Sequence, residues 1–372
     1  MERIFLASPH MSEEGYELEY IHDAFSKNWI APLGENVNEF EKAVRDCVRA
    51  ENAVALSAGT AALHLAMILA GVSRGDKVFC QSLTFSASAN PIAYLGAEPV
   101  YIDSERETWN MSPEALRRAF EECGKPKAVV AVHLYGIPAK MDELCAVCAE
   151  YGVPLIEDAA EALGSEYKGK ACGTFGEYAA LSFNGNKIIT TSGGGMLLCR
   201  NGDEAKHALK LATQAREPFP WYQHEEIGYN YRLSNISAGI GRGQMKVLDK
   251  RVAKKRDIYA RYASAFAELP ITMAPMPEGT RPNCWLSVML LDPDCGVSPP
   301  DVVAALQKEN IEARHLWKPM HMQPVFSDCR FISAEEEAVC EDLFERGVCL
   351  PSDTKMTPEQ QMSVCEAAKK LF

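Results

Sequence analysis

The chain has 372 residues, of which 47% are hydrophobic and 24% charged, and a formal net charge of −13. That length can carry two domains, the composition is that of a soluble globular protein, and the acidic balance excludes a protein built chiefly to grip nucleic-acid phosphates. A local basic patch for a smaller phosphorylated ligand is still compatible with it. The first residues, Met-Glu-Arg-Ile-Phe-Leu-Ala-Ser-Pro-His, lack the pattern of a signal peptide, and no apolar run reaches the width of a bilayer. A cytoplasmic protein with no membrane partner is therefore expected. The 13 cysteines are scattered through apolar runs such as Val78-Phe79-Cys80, as reduced thiols acting as small hydrophobes would be.

In chain order, Val37, Phe40, Val44 and Val48 form one apolar stripe and predict a packing helix from about Asn36 to Ala50. From Asn52 to about Leu198, short apolar runs alternate with helical patterns. This predicts a mainly parallel sheet covered by helices on both faces, with strands at Ala53 to Leu56, Lys77 to Cys80, Pro99 to Asp103, Ala128 to Leu134, Pro154 to Glu157, Tyr178 to Ser182 and Gly195 to Cys199. Between the first two, Gly59 to Ala70 is almost entirely small or apolar and reads as a helix buried by the sheet. Cys145 and Cys148 fall in a helical run from Met141 to Tyr151 with no second pair or histidine cluster nearby, so no metal site is expected.

A helical pattern after Gly202 runs through Arg216 and breaks at Glu217-Pro218-Phe219-Pro220. A long helix is then expected from about Ser234 to Leu269, stopped by Pro270. Beyond it, Cys284 to Leu291 reads as a strand, and Pro299 to Asn310 and Pro358 to Leu371 read as helices. These elements predict an α/β fold with a large domain over residues 1–245 and a smaller α+β domain over residues 246–372.

Two segments carry the chemistry. Ser182-Phe183-Asn184-Gly185-Asn186-Lys187 ends in a lysine followed by an apolar and then glycine-rich turn, a context for an amine held in a pocket. Leu155-Ile156-Glu157-Asp158 ends in a carboxylate at a predicted strand end, where open α/β sheets place their ligand sites. A lysine amine that can join an aldehyde, with a carboxylate that can keep a pyridine nitrogen protonated, points to pyridoxal 5'-phosphate.

Ser57-Ala58-Gly59-Thr60 precedes the buried helix. Alone these are ordinary capping residues, but with Ser182 they form a natural phosphate cradle of hydroxyls and free backbone N–H groups. Phe85 follows another strand and is placed to stack on a pyridine face. Asn230, in Gly228-Tyr229-Asn230-Tyr231-Arg232, is a further candidate for the phosphate.

Taken in order, these segments resemble the DegT/StrS family of nucleotide-sugar aminotransferases, which are fold-type I pyridoxal phosphate enzymes. The likeness spans nearly the whole chain and includes Ser26-Lys27-Asn28-Trp29-Ile30-Ala31-Pro32-Leu33-Gly34. It implies Lys187 as the Schiff-base lysine, Asp158 as the pyridinium partner, Phe85 as the stacking ring, and Ala58, Gly59, Thr60 and Ser182 around the phosphate. It also implies that Asn230 reaches the cofactor phosphate of a neighbouring subunit, which makes the expected enzyme a homodimer with composite sites. Glu161 falls near the cofactor 3-hydroxyl, where many relatives carry Gln or His, and Asn184-Gly185 replaces an aromatic-proline pair.

For the substrate, the resemblance implies Lys27, Asn28 and Trp29, with Arg314, His315, Trp317 and Lys318 from the segment Ala313 to His321, as contacts to a nucleotide sugar. L-Glutamate is the implied donor, and C4 of UDP-linked 4-keto-6-deoxy-N-acetylglucosamine, on the route to bacillosamine-type sugars, the implied acceptor. A 3-aminotransferase, a dTDP-sugar enzyme and a noncatalytic cofactor-binding or sugar-binding regulator are the alternatives. A sugar dehydratase of the same fold would carry histidine in place of Lys187.

Overall fold

The computed structural model describes residues 2–372. Its first strands and helices alternate, as short apolar runs flanked by turn residues dictate. They are α1 (Tyr16–Ser26), α2 (Glu35–Val48), β1 (Asn52–Leu56), α3 (Gly59–Leu69), β2 (Lys77–Gln81), α4 (Asn90–Tyr94), β3 (Glu98–Ile102), α5 (Pro113–Cys123), β4 (Ala128–Val132), α6 (Met141–Tyr151) and β5 (Leu155–Asp158). Two short strands, β6 (Glu166–Tyr167) and β7 (Lys170–Ala171), precede β8 (Tyr178–Ser182), β9 (Gly195–Cys199) and α7 (Gly202–Ala212). The remainder is α8 (Asn235–Met245), α9 (Leu248–Ala265), β10 (Ile271–Met273), β11 (Thr280–Arg281), β12 (Ser287–Leu291), α10 (Pro299–Lys308), β13 (Arg314–His315), β14 (Arg330–Ile332), α11 (Val339–Arg346), β15 (Gly347–Leu350) and α12 (Pro358–Lys369).

Eight strands form one sheet in the order β1-β9-β8-β5-β4-β2-β3-β14. All of its pairings are parallel except those of β9, which runs antiparallel to both β1 and β8. This is the fold-type I arrangement of a mostly parallel mixed sheet between helical layers. Strand β4 is buried at every position, as a strand covered on both faces must be. The stripe Val37, Phe40, Val44 and Val48 of α2 is buried against the sheet, with Phe40 edge-on to Phe183 at 4.9 Å.

Helix α3 is buried from Ala61 to Met67 and starts directly against β9. A Cβ on Gly195 would lie 2.3 Å from the Ala58 carbonyl and 2.4 Å from Gly59 N, so only glycine lets the start of α3 approach the strand this closely. Replacing Gly195 by alanine must push the start of α3 off the strand. We expect a loss of about 1–3 kcal/mol of stability, read as a lower urea midpoint.

The helix expected from Ser234 to Leu269 is two helices. Val247, at φ −113° and ψ 6°, leaves the helical region between α8 and α9. Helix α8 is pressed onto its neighbours at three glycines, where a Cβ would lie 2.9 Å from Asn36 (Gly239), 2.6 Å from Phe40 (Gly241) and 2.6 Å from the Glu17 backbone (Gly243). The break then lets α9 leave that surface toward the second sheet. The strand expected to reach Leu134 stops at Val132, because the chain turns at Tyr135 with φ 56°. The helix expected to reach Arg216 ends at Ala212, ahead of positive φ values at Gln214 and Ala215.

The second sheet, β10-β12-β15-β13, is antiparallel, and α9, α10 and α12 pack on it through Ile258, Tyr262, Val302, Leu306 and Val364. We place the domain boundary between residues 245 and 246, as a proposal, with two crossings. Ile4 packs in the core of the second sheet and forms a bridge with Ile311, and β14 returns to extend the first sheet beside β3. Among the described residues no helix is long and apolar enough to cross a membrane.

Candidate active site

The carboxyl ends of the parallel strands, the start of α3 and the turn before β12 enclose a cavity of about 410 Å³. The loops after β2, β5 and β8 deliver their side chains into it, as an open α/β sheet favours. Ala58, Gly59, Thr60, Phe85, Asp158, Glu161, Ser182 and Lys187 all line it. Lys187 is the one basic side chain among its described lining residues.

Asp158 closes β5 and is buried. Its Oδ2 accepts from the Ser88 hydroxyl at 2.6 Å, its Oδ1 accepts from Ala160 N–H at 3.1 Å, and Ser88 is in turn 2.7 Å from the Thr84 hydroxyl. These bonds fix the carboxylate in one orientation at the cavity floor. Lys187 Nζ lies 3.3 Å from Glu161 Oε1 and 4.2 Å from the centre of the Trp285 ring, an ion pair and a cation–π contact on one amine. Glu161 is 4% exposed, and its Oε2 accepts from Tyr135 N–H at 2.7 Å. Burial pushes its carboxyl up to about 7 against the opposing pull of the Lys187 ammonium and the Tyr135 N–H, while the Asp158 charge adds to the rise.

At the other end of the cavity, the first backbone bond of α3 runs from Ala62 N–H to Ala58 O, so the N–H groups of Gly59 and Thr60 precede the helical ladder. No side chain caps this helix end. Gly59 is so close to Ser182 that a Cβ there would lie 3.1 Å from Ser182 Cβ. Backbone donors, two hydroxyls and the positive end of a long buried helix thus converge, a donor set that suits a phosphate. Phe85 is 57% exposed at the cavity wall and 5.5 Å from the Trp317 ring, a large apolar face with room for a planar partner. Acid, amine, ring and cradle fit the parts of pyridoxal phosphate.

The residues expected at the nucleotide sugar divide. Trp317 lines the cavity, packed 5.0 Å from Tyr135, whose hydroxyl accepts from Trp317 N–H at 3.2 Å. Arg314, His315 and Lys318 lie outside the lining. Arg314 pairs with Glu312 at 2.9 Å and His315 packs on Phe344 at 4.4 Å. Lys27 is exposed and paired with Asp23 and Glu35, which hold its pKa above the usual lysine value. Asn28 takes a left-handed turn at φ 53°, and Trp29 sits half-exposed against Gly34. Asn230 is exposed and pairs with Thr213 across an isolated bridge, apart from the cavity of its own chain.

Sequence reasoning missed three contributors. Thr84 and Ser88 flank Phe85 in Ser-Leu-Thr-Phe-Ser-Ala-Ser, and a hydroxyl four residues from another was the available signal. Trp285 comes from about a hundred residues beyond Lys187 and carries no local motif. Cys145 and Cys148 are held up to about 11 and about 12 by burial, so their thiols stay protonated and unreactive near neutral pH. Among the described residues no group of three or more His, Cys, Asp or Glu could hold a metal.

The chain is similar to known proteins along nearly its whole length. The sequence pattern of the DegT/DnrJ/EryC1/StrS aminotransferase family matches residues 11–369. EpsN of Bacillus subtilis (strain 168), whose name places it with the pyridoxal phosphate-dependent aminotransferases, is 54% identical over 376 residues, covering 100% of this chain and 96% of that protein. GDP-perosamine synthase of Vibrio cholerae is 34% identical, covering 97% of each chain. The aminotransferase TlmJ from Streptoalloteichus hindustanus superposes with a TM-score of 0.90 at 27% identity, over 99% of this chain and 98% of its own. The chain belongs to the DegT/DnrJ/EryC1/StrS aminotransferase family.

Proposed function

We propose that this aminotransferase uses pyridoxal phosphate to move an amino group from L-glutamate to a nucleotide-linked keto sugar, with C4 of UDP-4-keto-6-deoxy-N-acetylglucosamine as the acceptor. The observation that carries the reading is the meeting of Lys187, Asp158 and the free start of α3 in one cavity. Pyridoxal phosphate supplies an aldehyde for an amine and a ring that draws electrons from a bond at the adjoining carbon.

Within this reading Lys187 is the attachment point and the proton carrier. It takes the Cα proton of glutamate in one half-reaction and delivers a proton to the aminated sugar carbon in the other. Glu161 would support the amine once it carries that proton: its carboxylate holds the Lys187 ammonium, and when the proton moves on its own raised pKa lets it stand neutral. Asp158, fixed by Ser88 and Ala160 N–H, holds the ring nitrogen protonated. Gly59, Thr60 and Ser182 hold the phosphate, and Phe85 covers the ring face.

The described cavity lining contains no arginine, so its own chain supplies no bidentate partner for a carboxylate or diphosphate there. A homodimer answers that need. The exposed segment carrying Asn230 also presents Phe219, Trp221, Tyr222 and Ile227 to solvent, a surface suited to reach a second copy.

The test is mass spectrometry of UDP-4-keto-6-deoxy-N-acetylglucosamine after incubation with the protein, pyridoxal phosphate and L-glutamate. An amino sugar is the expected product. A GDP-linked 4-keto-6-deoxy sugar is the second substrate to run, because a relative 34% identical over 97% of the chain is a GDP-perosamine synthase. Amination of that sugar alone would reassign the acceptor, and release of the amino form of the cofactor with neither sugar changed would point to another keto sugar.

A further inference from the structure

Helix α9 carries a lysine that the proposed chemistry does not use. Lys255 is 3% exposed, and among the described residues its ammonium makes one hydrogen bond, to Trp285 O at 2.8 Å. An ammonium has three donors, so a lysine this deep and this thinly partnered is expensive to keep. Burial pushes it down to about 8, while the Asp353 carboxylate favours its charge. An apolar residue of the same size would pack there at less cost, so the position calls for a reason beyond packing.

That reason lies in the tetrapeptide Pro282–Trp285, which α9 holds at both ends. Arg256 Nη1 donates to Pro282 O at 2.7 Å, and Lys255 to Trp285 O. Between them the chain makes a left-handed turn at Cys284, φ 54°, a conformation that needs outside support. The turn brings two side chains to the backbone beside Glu161 and Lys187. Asn283 Nδ2 donates to Glu161 O at 2.7 Å, and Trp285 Nε1 donates to Asn186 O at 2.7 Å, one residue before Lys187. The Trp285 ring then lies 4.2 Å beneath Lys187 Nζ.

We propose that Lys255 is a positioning residue for Lys187: by holding the Trp285 carbonyl it fixes the indole that sets the direction and depth of the Lys187 amine. The proposal rests on the reading of Lys187 as the reacting lysine. It makes α9, the helix between the two sheets, part of the apparatus that aims the amine.

Lys255→Met keeps the volume and removes the donors. In the cofactor-loaded protein, the visible absorbance band of pyridoxal phosphate attached to Lys187 should move its pH midpoint by at least about half a unit, since its surroundings on the amine side change. With glutamate and the keto sugar together, kcat should fall about ten- to a hundredfold while the KM for glutamate stays within about threefold, the mark of misplacement rather than lost binding. Trp285→Phe, which keeps a ring but loses the donor to Asn186, should shift the same midpoint, and it carries the test if the methionine variant does not fold. A lowered melting temperature with an unmoved midpoint and parent-like kcat would show a structural role only and overturn the proposal. A parent protein with no band at all would overturn the reading of Lys187 and this proposal with it.

Discussion

Lys187→Ala is expected to lower amino transfer by at least about 10⁴-fold, the scale seen when a residue that acts covalently is lost. No neighbour can replace it, because Lys187 is the one basic side chain among the described residues lining the cavity. The variant should still bind pyridoxal phosphate through the α3 cradle and Asp158, and with glutamate it should stall after a single encounter. Stopped-flow absorbance on the cofactor and product mass spectrometry check the two halves of that statement. Near-parent turnover would remove Lys187 from the reaction.

The same substitution has a stability signature that does not depend on turnover. Glu161 is already raised to about 7 from an ordinary value of 4.5. Removing the Lys187 ammonium takes away its chief stabilising charge and raises it further. A carboxyl with a raised folded pKa binds its proton more tightly in the native state. Its stabilising contribution is full below the unfolded value and is lost as pH climbs through the folded value. The drop in melting temperature between about pH 6 and about pH 8 should therefore be larger in Lys187→Ala than in the parent, both measured without cofactor. Groups common to both proteins cancel in that comparison.

How much of this was legible in the sequence follows from distance along the chain. The strand β5 that ends in Asp158 and the segment from Ser182 to Lys187 are local patterns, and each was readable because a short apolar run followed by a polar loop has one natural place in an α/β sheet. The uncapped start of α3 beside the strand ends was readable for the same reason, since α3 begins within three residues of the end of β1. Trp285 was not. It reaches Lys187 only because Cys284 turns left-handed and α9 clamps the turn, and neither fact leaves a local trace. The break at Val247 was hidden because Lys246-Val247 contains neither proline nor glycine, so periodicity ran on through it. Strand β14 was missed because three residues are too few to show alternation, and its partner β3 lies more than two hundred residues earlier. The resemblance implied Arg314 and Lys27 as contacts to a nucleotide sugar; in the chain by itself each is paired with a carboxylate.

Asp158→Asn should be the next most damaging change, lowering kcat by about 10²–10³-fold with a smaller effect on affinity for glutamate. The loss is electrostatic in origin. A pyridine nitrogen beside a fixed carboxylate gains a proton affinity worth about 1.36 kcal/mol for each unit of pKa, and two or three units account for the expected loss. Asparagine retains an acceptor for Ala160 N–H and nearly the same shape, so the fold should survive while the charge does not. The Ser88 hydroxyl supports the same carboxylate through one 2.6 Å bond. Ser88→Ala should therefore act in the same direction but by only about tenfold, the worth of one hydrogen bond to a charged group. The order of the three kcat values, parent above Ser88→Ala above Asp158→Asn, separates a charge that drives the chemistry from a carboxylate that merely caps a strand. If Asp158→Asn turned over at the parent rate, the strand-capping role would be the whole of it.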